Sequence, residues 1–335
     1  MTATETLTLA EIETLAQDAL VAAGTSPENA APLAKATAMT EADGVASHGL
    51  AYIPIYAEHV QCGKVDGNAK PVLSQPKPSV VTVDAATGFA HAAIDMGFEK
   101  LIPAAKEQGV AVLAINNSYN CGVLGVHTQR LAQAGLMAIG FTNAPASIAP
   151  TGGAKPVVGT NPFSVAAPGP DGRAEVLIDQ SASTIAKSEV MKHAREGKPV
   201  PEGWVLDADG NPTTDPEAGL KGSMVPSGGY KGVGIALMVE MMAAAMSGAT
   251  LGKDASPFSG TKGGPPKTGQ FFIAIDPDAT SGGAFAQQLA ALTEAVRAED
   301  GVRVPGDGRG TKRVQAAQDG VAVNAATLEK IRAIL

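Results

Sequence analysis

The sequence is poor in residues that staple, stack or carry excess positive charge. It holds two cysteines, Cys62 and Cys121, in 335 residues. That excludes a disulfide framework and a cysteine-built metal cluster. The five histidines show no metal-like spacing, so no metal is expected. Aromatic residues make up 4% of the chain, few for stacking platforms. Acidic residues outnumber basic ones, 33 to 25, for a net charge of −8. The basic excess that a phosphate backbone attracts is missing, and nucleic acid is not an expected partner. The opening "MTATETLTLAEIETLAQ" lacks the basic and apolar regions of a signal peptide. The most apolar stretch, "GIALMVEMMAAAMSGATL", is too short to span a bilayer and carries Glu240, so it reads as a buried helix. A cytoplasmic protein acting on a small molecule is the expectation. A strand followed by G-x-G-x-x-G is also absent, as is a Walker A sequence. Any nucleotide must be held by a different device.

What is present is abundant glycine, 39 residues, and a clear change of character along the chain. The first third is helical. Thr8 with Glu11 predicts a capping box, and Ile12, Leu15, Ala19 and Leu20 recur at helical spacing until Gly24. Ser26-Pro27 opens a second helix to about Asp43, and Leu50, Ile53, Tyr56 and Val60 suggest a third. The middle alternates. Strands are expected at 79–85, 110–115, 136–142, 174–179 and 270–276, the last clear strand. Helices are expected at 94–108, bent or interrupted by Pro103, near 124–134, and at 181–196. His59 is expected on the surface of its helix. The stretches 197–229 and 254–269 have turn chemistry throughout and read as long loops.

Three Gly-rich segments could cradle an anion: "GTNPFSVAAP" at 159–168, "SGGYKGVG" at 227–234 and "VPGDGRG" at 304–310. The second opens a helix with Lys231 in its first turn, where outward N–H groups and the helix dipole favour negative charge. A tight turn with a solvated lysine is the alternative. His48 lies in "VASHGLAY", after Asp43 and Ser47. A histidine titrates near neutral pH and suits acid–base work, with Ser47 to orient the ring and Gly49 to leave room. A satisfied histidine at a helix end fits the same residues. Asp179, ending the apolar strand in "VLIDQSAS", is either a functional carboxylate or the N-cap of a following helix.

Taken together, "SHGL", "GTNPFSVAAP", "VLIDQSAS", "PEGWVLDADGNPTTDP" and "GGYKGVGIALMVE" occur in one order and spacing. In these motifs the chain resembles, over nearly its whole length, the malate/L-lactate dehydrogenase family of NAD(P)-dependent oxidoreductases. That family is distinct from the Rossmann-type dehydrogenases. It includes sulfolactate, ureidoglycolate and diketogulonate enzymes and the pyrroline/piperideine-2-carboxylate reductases. The resemblance implies an α/β fold with a non-Rossmann cofactor domain. Its sheet would be mixed and largely antiparallel, flanked by a helical domain built from both termini. It places a helical domain at 1–78 with 300–335, a small α/β segment at 79–122 and an NAD(P)-binding domain at 123–299.

It also implies a homodimer with NAD or NADP as cofactor and a small-molecule substrate. The substrate would be a 2-oxo or 2-hydroxy acid of the lactate, malate or sulfolactate type, or alternatively a cyclic imino acid. His48 becomes the acid–base residue, with Asp179 and Ser47 in support. Tyr52, Asn120 and Thr160 would face the substrate. His48, Thr160, Asn161, Pro162, Asp179, Gln180, Ser181, Lys187, Tyr230, Lys231 and Gly306 would line the cofactor. Two departures stand out. Many members carry arginine where this chain has Tyr52, and His-Phe-Gly where it has Asn120-Cys121-Gly122. A non-catalytic nucleotide-binding relative would have dispensed with His48 or Asp179, and both are present.

Overall fold

The computed structural model describes residues 3–335. A short strand, β1 (Thr4–Leu7), precedes α1 (Leu9–Ala22). Thr8 Oγ1 accepts the Glu11 N–H at 3.2 Å while the Glu11 carboxylate accepts the Thr8 N–H at 2.8 Å, the reciprocal cap expected of this spacing. α2 (Pro27–Ala42) begins after Ser26 and stops at Asp43. Two single 3₁₀ turns, Ala46–His48 and Leu50–Tyr52, lead into α3 (Ile53–Gln61). These helices share a core of Ile12, Leu20, Leu33, Ile53 and Tyr56 with Leu328 and Ile331 from the end of the chain.

Then come β2 (Val72–Lys77), β3 (Val80–Asp84), α4 (Ala90–Gln108), β4 (Val110–Ser118) and α5 (Leu124–Gln133). β5 (Met137–Thr142), β6 (Phe163–Pro168) and β7 (Ala174–Gln180) follow. A small lobe holds α6 (Lys187–Glu196), β8 (Val205–Leu206), β9 (Pro212–Thr213), α7 (Pro216–Lys221) and β10 (Ser223–Met224). α8 (Tyr230–Glu240) runs into a π-helical turn, Met241–Ala245. The chain ends with β11 (Thr268–Ile275), α9 (Pro277–Ser281), α10 (Phe285–Arg297), α11 (Asp307–Asp319), β12 (Val321–Asn324) and α12 (Ala325–Arg332).

The central sheet has the order β2-β3-β4-β11-β5-β6-β7. β3 and β4 run parallel, and the other neighbouring pairs are antiparallel. The sheet is therefore mixed and largely antiparallel, as expected. α4 and α5 cover one face through Ile94, Phe98, Leu101 and Leu131. On the other face Val239 and Ala243 pack on Ala114, Phe141 and Phe271. The boundary expected after residue 122 falls inside this sheet, since β11 joins β4 to β5. β1 pairs with β12, Leu7 opposite Val321, so both ends of the chain build the helical layer. No helix among the described residues is long and apolar enough to cross a membrane.

Several local expectations are corrected. α4 starts at Ala90 and continues through Pro103. Leu101, Ala104 and Ala105 are buried against the sheet, and that packing carries the helix past the missing hydrogen bond. The segment 181–186 is irregular and not helical, because Ala182 N–H bonds Thr160 O at 2.8 Å and Thr184 N–H bonds Val225 O at 2.9 Å. α6 starts only at Lys187, so Asp179 caps no helix. The 197–229 stretch is ordered by β8, β9, β10 and α7. β11 is not the last strand, and α11 was unforeseen. His59 is buried, with Nε2 3.1 Å from Gly260 O and Nδ1 on the Tyr119 hydroxyl. A loop distant in sequence covers its face, which periodicity cannot register. The stretch read as a buried helix exposes one side, with Leu237 at 48% and Met241 at 58%.

Candidate active site

The half-buried His48 closes the first 3₁₀ turn. Its Nδ1 lies 3.0 Å from Ser47 Oγ, and its ring stacks on Tyr52 at 5.3 Å with the planes 10° apart. The turn is pinned from below by Glu41 of α2, whose Oε1 accepts the Leu50 N–H at 2.7 Å. This explains the glycine after the histidine. A Cβ on Gly49 would lie 2.1 Å from that same carboxylate oxygen. Burial holds the His48 pKa below its ordinary value, and the charge of Asp179 works in the opposite direction. Burial also raises the pKa of Glu41, against the Leu50 N–H.

Asp179 is the penultimate residue of β7, and its side chain is hydrogen-bonded by Arg309 of α11, Nη2 to Oδ2 at 2.9 Å. It therefore acts on His48 through space and not by direct contact. Arg309 Nη1 also lies 3.8 Å from Asp43, the buried residue that ends α2. Asp43 takes a two-pronged contact from Arg313, one turn further along α11, with Nη2 to Oδ2 at 2.7 Å. The two arginines bind the stem of the His48 turn to the end of β7. α5 comes close enough to enclose this pair because Gly125 has no side chain; a Cβ there would meet Asp179 Oδ2 at 2.6 Å and Arg309 Nη1 at 2.7 Å. Sequence reasoning missed Glu41, Arg309 and Arg313. The i, i+4 spacing of the arginines was visible, but their helix was not.

Tyr52 and Tyr56 continue the ring stack from His48, tilted at 5.4 Å. Burial raises the Tyr52 pKa, and the charge of Arg195 on α6 partly offsets it. Asn120 follows β4, and its Oδ1 accepts the Tyr56 hydroxyl at 2.9 Å. Tyr56 and Gly122 line a small cavity together with His48 and His91. A chain of contacts thus runs from His48 through Tyr52 and Tyr56 to Asn120.

The remaining expected residues lie along the 159–187 segment and two helix starts. Thr160 is half-buried and its carbonyl accepts the Ala182 N–H. Asn161 is fully buried at φ 41, and its side chain takes the Ala144 N–H at 3.1 Å and gives hydrogen bonds to Ala236 O at 2.9 Å and Glu240 at 2.7 Å. That amide knots the strand to α8; any part it has in a cofactor site comes from the shape of the turn. Pro162 O accepts the Thr142 N–H. Gln180 is exposed, and Ser181 Oγ reaches Ser183 Oγ at 3.0 Å. Lys187 is half-buried, 3.5 Å from Ser147 Oγ, with its pKa lowered by burial. Residues 227–231 are all exposed. Gly228 and Gly229 both sit at φ 64, and no side chain caps α8. An open first turn with Lys231 beside two left-handed glycines fits a phosphate-bearing cofactor. Gly306, at φ 109, is the N-cap of α11, and a Cβ there would lie 3.0 Å from Leu177 N. It sets where Arg309 falls. A cleft of about 850 Å³ opens beside it between β7 and α11.

Residues 7–332 match the profile of the malate/L-lactate dehydrogenase family. The chain belongs to that family. As a malate/L-lactate dehydrogenase family member it is an NAD(P)-dependent oxidoreductase. It is similar to the (2R)-3-sulfolactate dehydrogenase (NADP(+)) of Chromohalobacter salexigens, 43% identical over 90% of each chain. It is 39% identical to the Δ1-pyrroline-2-carboxylate reductase of Ancylobacter novellus, over 98% of this chain and 97% of the relative. Among solved structures, the Δ1-piperideine-2-carboxylate reductase of Pseudomonas syringae pv. tomato superposes with a TM-score of 0.93 at 35% identity, covering 99% of this chain and all 100% of that one. The family's non-Rossmann sheet accounts for the missing G-x-G-x-x-G.

Proposed function

We propose that the protein moves hydride between a nicotinamide cofactor and C2 of a small 2-oxo or 2-hydroxy acid of the lactate, malate or sulfolactate type. His48 is the proton donor and acceptor. The observation that carries this reading is a half-buried imidazole on a turn fixed by Glu41, next to Ser47 and within the field of Asp179. When bound, the nicotinamide supplies or accepts the hydride. In oxidation, neutral His48 takes the proton of the C2 hydroxyl. In reduction, the imidazolium returns it to the C2 oxygen. Burial favours the neutral base, while Asp179 supports the imidazolium once formed. Ser47 Oγ is placed to accept from Nδ1 in that charged form. Tyr52, Asn120 and Thr160 face the substrate in this reading. Thr160 to Pro162, Asp179 to Ser181, Lys187, Tyr230, Lys231 and Gly306 line the cofactor.

A second reading is reduction of 1-pyrroline- or 1-piperideine-2-carboxylate to proline or pipecolate, where the proton ends on the ring nitrogen. Tyr52 favours it, because a flat ring stacked on His48 stands where many relatives carry a guanidinium. The likeness to the two imino-acid reductases over nearly the full chain supports it as well. The test is oxidation of NADH and NADPH with pyruvate, oxaloacetate, sulfopyruvate and the two cyclic imino acids. NADPH comes first, given the NADP(+) of the sulfolactate relative. Turnover confined to a 2-oxo acid supports the first reading. Turnover confined to an imino acid replaces it with the second, and no turnover with any of them overturns both.

The protein is further proposed to work as a homodimer through α8. Tyr230 and Leu237 lie along one side of that helix, Met241 opens the π-helical turn that continues it, and Met246 follows, at 72%, 48%, 58% and 63% exposure. A stripe of large apolar side chains beside the cofactor candidates is suited to a second copy of the same chain.

A further inference from the structure

We infer that Tyr56 is a positioning residue that fixes the Asn120 amide so that its NH₂ end, and not its oxygen, faces the substrate. This deepens the proposed function and rests on Asn120 lining the substrate pocket.

Asn120 Oδ1 accepts two hydrogen bonds, from the Tyr56 hydroxyl at 2.9 Å and from the Gly122 N–H at 3.2 Å. The backbone N–H can only donate, so it decides which end of the amide is oxygen. Full burial, and next the neighbouring Tyr119 and Tyr52, push the Tyr56 pKa well above its ordinary value, so the phenol keeps its proton and donates it. With both lone pairs of the carbonyl oxygen occupied, the remaining capacity of Asn120 is two N–H donors.

The frame around this lock is rigid. Tyr56 is 2% exposed and meets Phe89 and Tyr119 edge-on at 5.6 Å and 6.0 Å. The Tyr119 N–H is held by Gly88 O at 3.0 Å, which fixes the chain just before Asn120. Both donors that hold the amide, Tyr56 and Gly122, line the cavity that His48 also lines. The two groups that hold the amide therefore border the same small cavity as the proposed acid–base group, and they set the amide's polarity.

A donor-only wall selects an acceptor. The group that 2-oxo acids, 2-hydroxy acids and cyclic imino acids share is the carboxylate on C2. Asn120 bonds that carboxylate, which turns the C2 oxygen or ring nitrogen toward His48. A carboxamide in the same place would set NH₂ against NH₂ in one of its two orientations. It would bind less well than the carboxylate, beyond the loss of charge.

The test compares wild type, Tyr56→Phe and Asn120→Ala, using whichever acid turns over best and its C1 carboxamide. Tyr56→Phe keeps the ring and its packing while freeing one lone pair of Asn120, so the amide can turn. The expected result is a KM for the acid raised about five-fold, the scale of one hydrogen bond, with kcat nearly unchanged. The preference for acid over carboxamide in kcat/KM falls in the same variant. Loss of ring packing alone would not move that preference. Asn120→Ala raises KM at least as much. If Asn120→Ala raises KM but Tyr56→Phe leaves both KM and the preference unchanged, the lock is disproved and the pocket stands. If Asn120→Ala leaves KM unchanged, Asn120 is not in the pocket and the inference falls with that reading.

Discussion

The His48 turn and the α8 mouth are built in opposite ways. The turn is anchored from three directions: Glu41 beneath Leu50, the Asp43–Arg313 pair at its stem, and the Tyr52–Tyr56 stack beside the ring. The mouth, residues 227–231, is exposed throughout and uncapped, and its conformation rests on two left-handed glycines. The difference matches the role proposed for each. A group that trades a proton with a reacting atom must be held within a fraction of an ångström before substrate arrives. A turn that receives phosphates gains its missing hydrogen bonds from the ligand, so it can stand open without it. On the proposed function, the anchored half carries geometry and the open half carries affinity.

The largest effect that would break this comparison is at His48. His48→Ala is expected to lower kcat by about 10²- to 10⁴-fold, the scale of a lost acid–base group, with cofactor affinity nearly unchanged. Steady-state kinetics and a cofactor titration by fluorescence check it together. In wild type, kcat/KM for oxidation should rise with pH through an apparent pKa below the ordinary histidine value. The sign follows from burial, which disfavours the imidazolium and leaves the base free at lower pH. A variant that keeps most of its activity, or a profile without that limb, removes His48 from the reaction.

The next effect concerns whether the open half stays open in solution. Met241→Lys places a charge in the middle of the exposed α8 stripe, where Met241 stands at 58% exposure. If a second copy covers the stripe, wild type runs as two chains by light scattering and the variant shifts to one, as expected for a charge buried without a partner. A wild type that runs as one chain at micromolar concentration sinks the homodimer.

These two halves were unequally legible in the sequence. Local rules sufficed for the Thr8–Glu11 cap, the helix from Pro27 and the strands around Val80 and Met137, because cap, proline and apolar run act over a few residues. "SHG" marked a histidine held on a fixed turn, and the close approach of Glu41 to Gly49 gives its glycine a reason. What local rules could not reach is long-range. The partner of Asp179 is 130 residues away on a helix that begins among glycines, so "VPGDGRG" read as a Gly-rich anion cradle and Arg309 as nothing in particular. His59 was misplaced because residues near Gly260 cover it. The α8 segment was misjudged for the reverse reason: its composition is that of a core helix, and only the fold reveals that one side is left uncovered.

The smallest effect sharpens the comparison at the mouth itself. Lys231 is exposed, and at the first turn of α8 its charge adds to the positive end of the helix dipole. Lys231→Ala removes one cation but leaves the backbone N–H groups and both glycines in place. The dissociation constant for NADPH is therefore expected to rise about ten-fold, one charge-assisted contact, with kcat at saturating cofactor unchanged. Raising the salt concentration should narrow the gap between variant and wild type, because an exposed charge is screened. An unchanged dissociation constant takes Lys231 out of the site and leaves the cofactor to the 159–181 segment. A fall in kcat at saturation would instead mean that the mouth, like the His48 turn, positions the reacting atoms, and the division between the two halves would not hold.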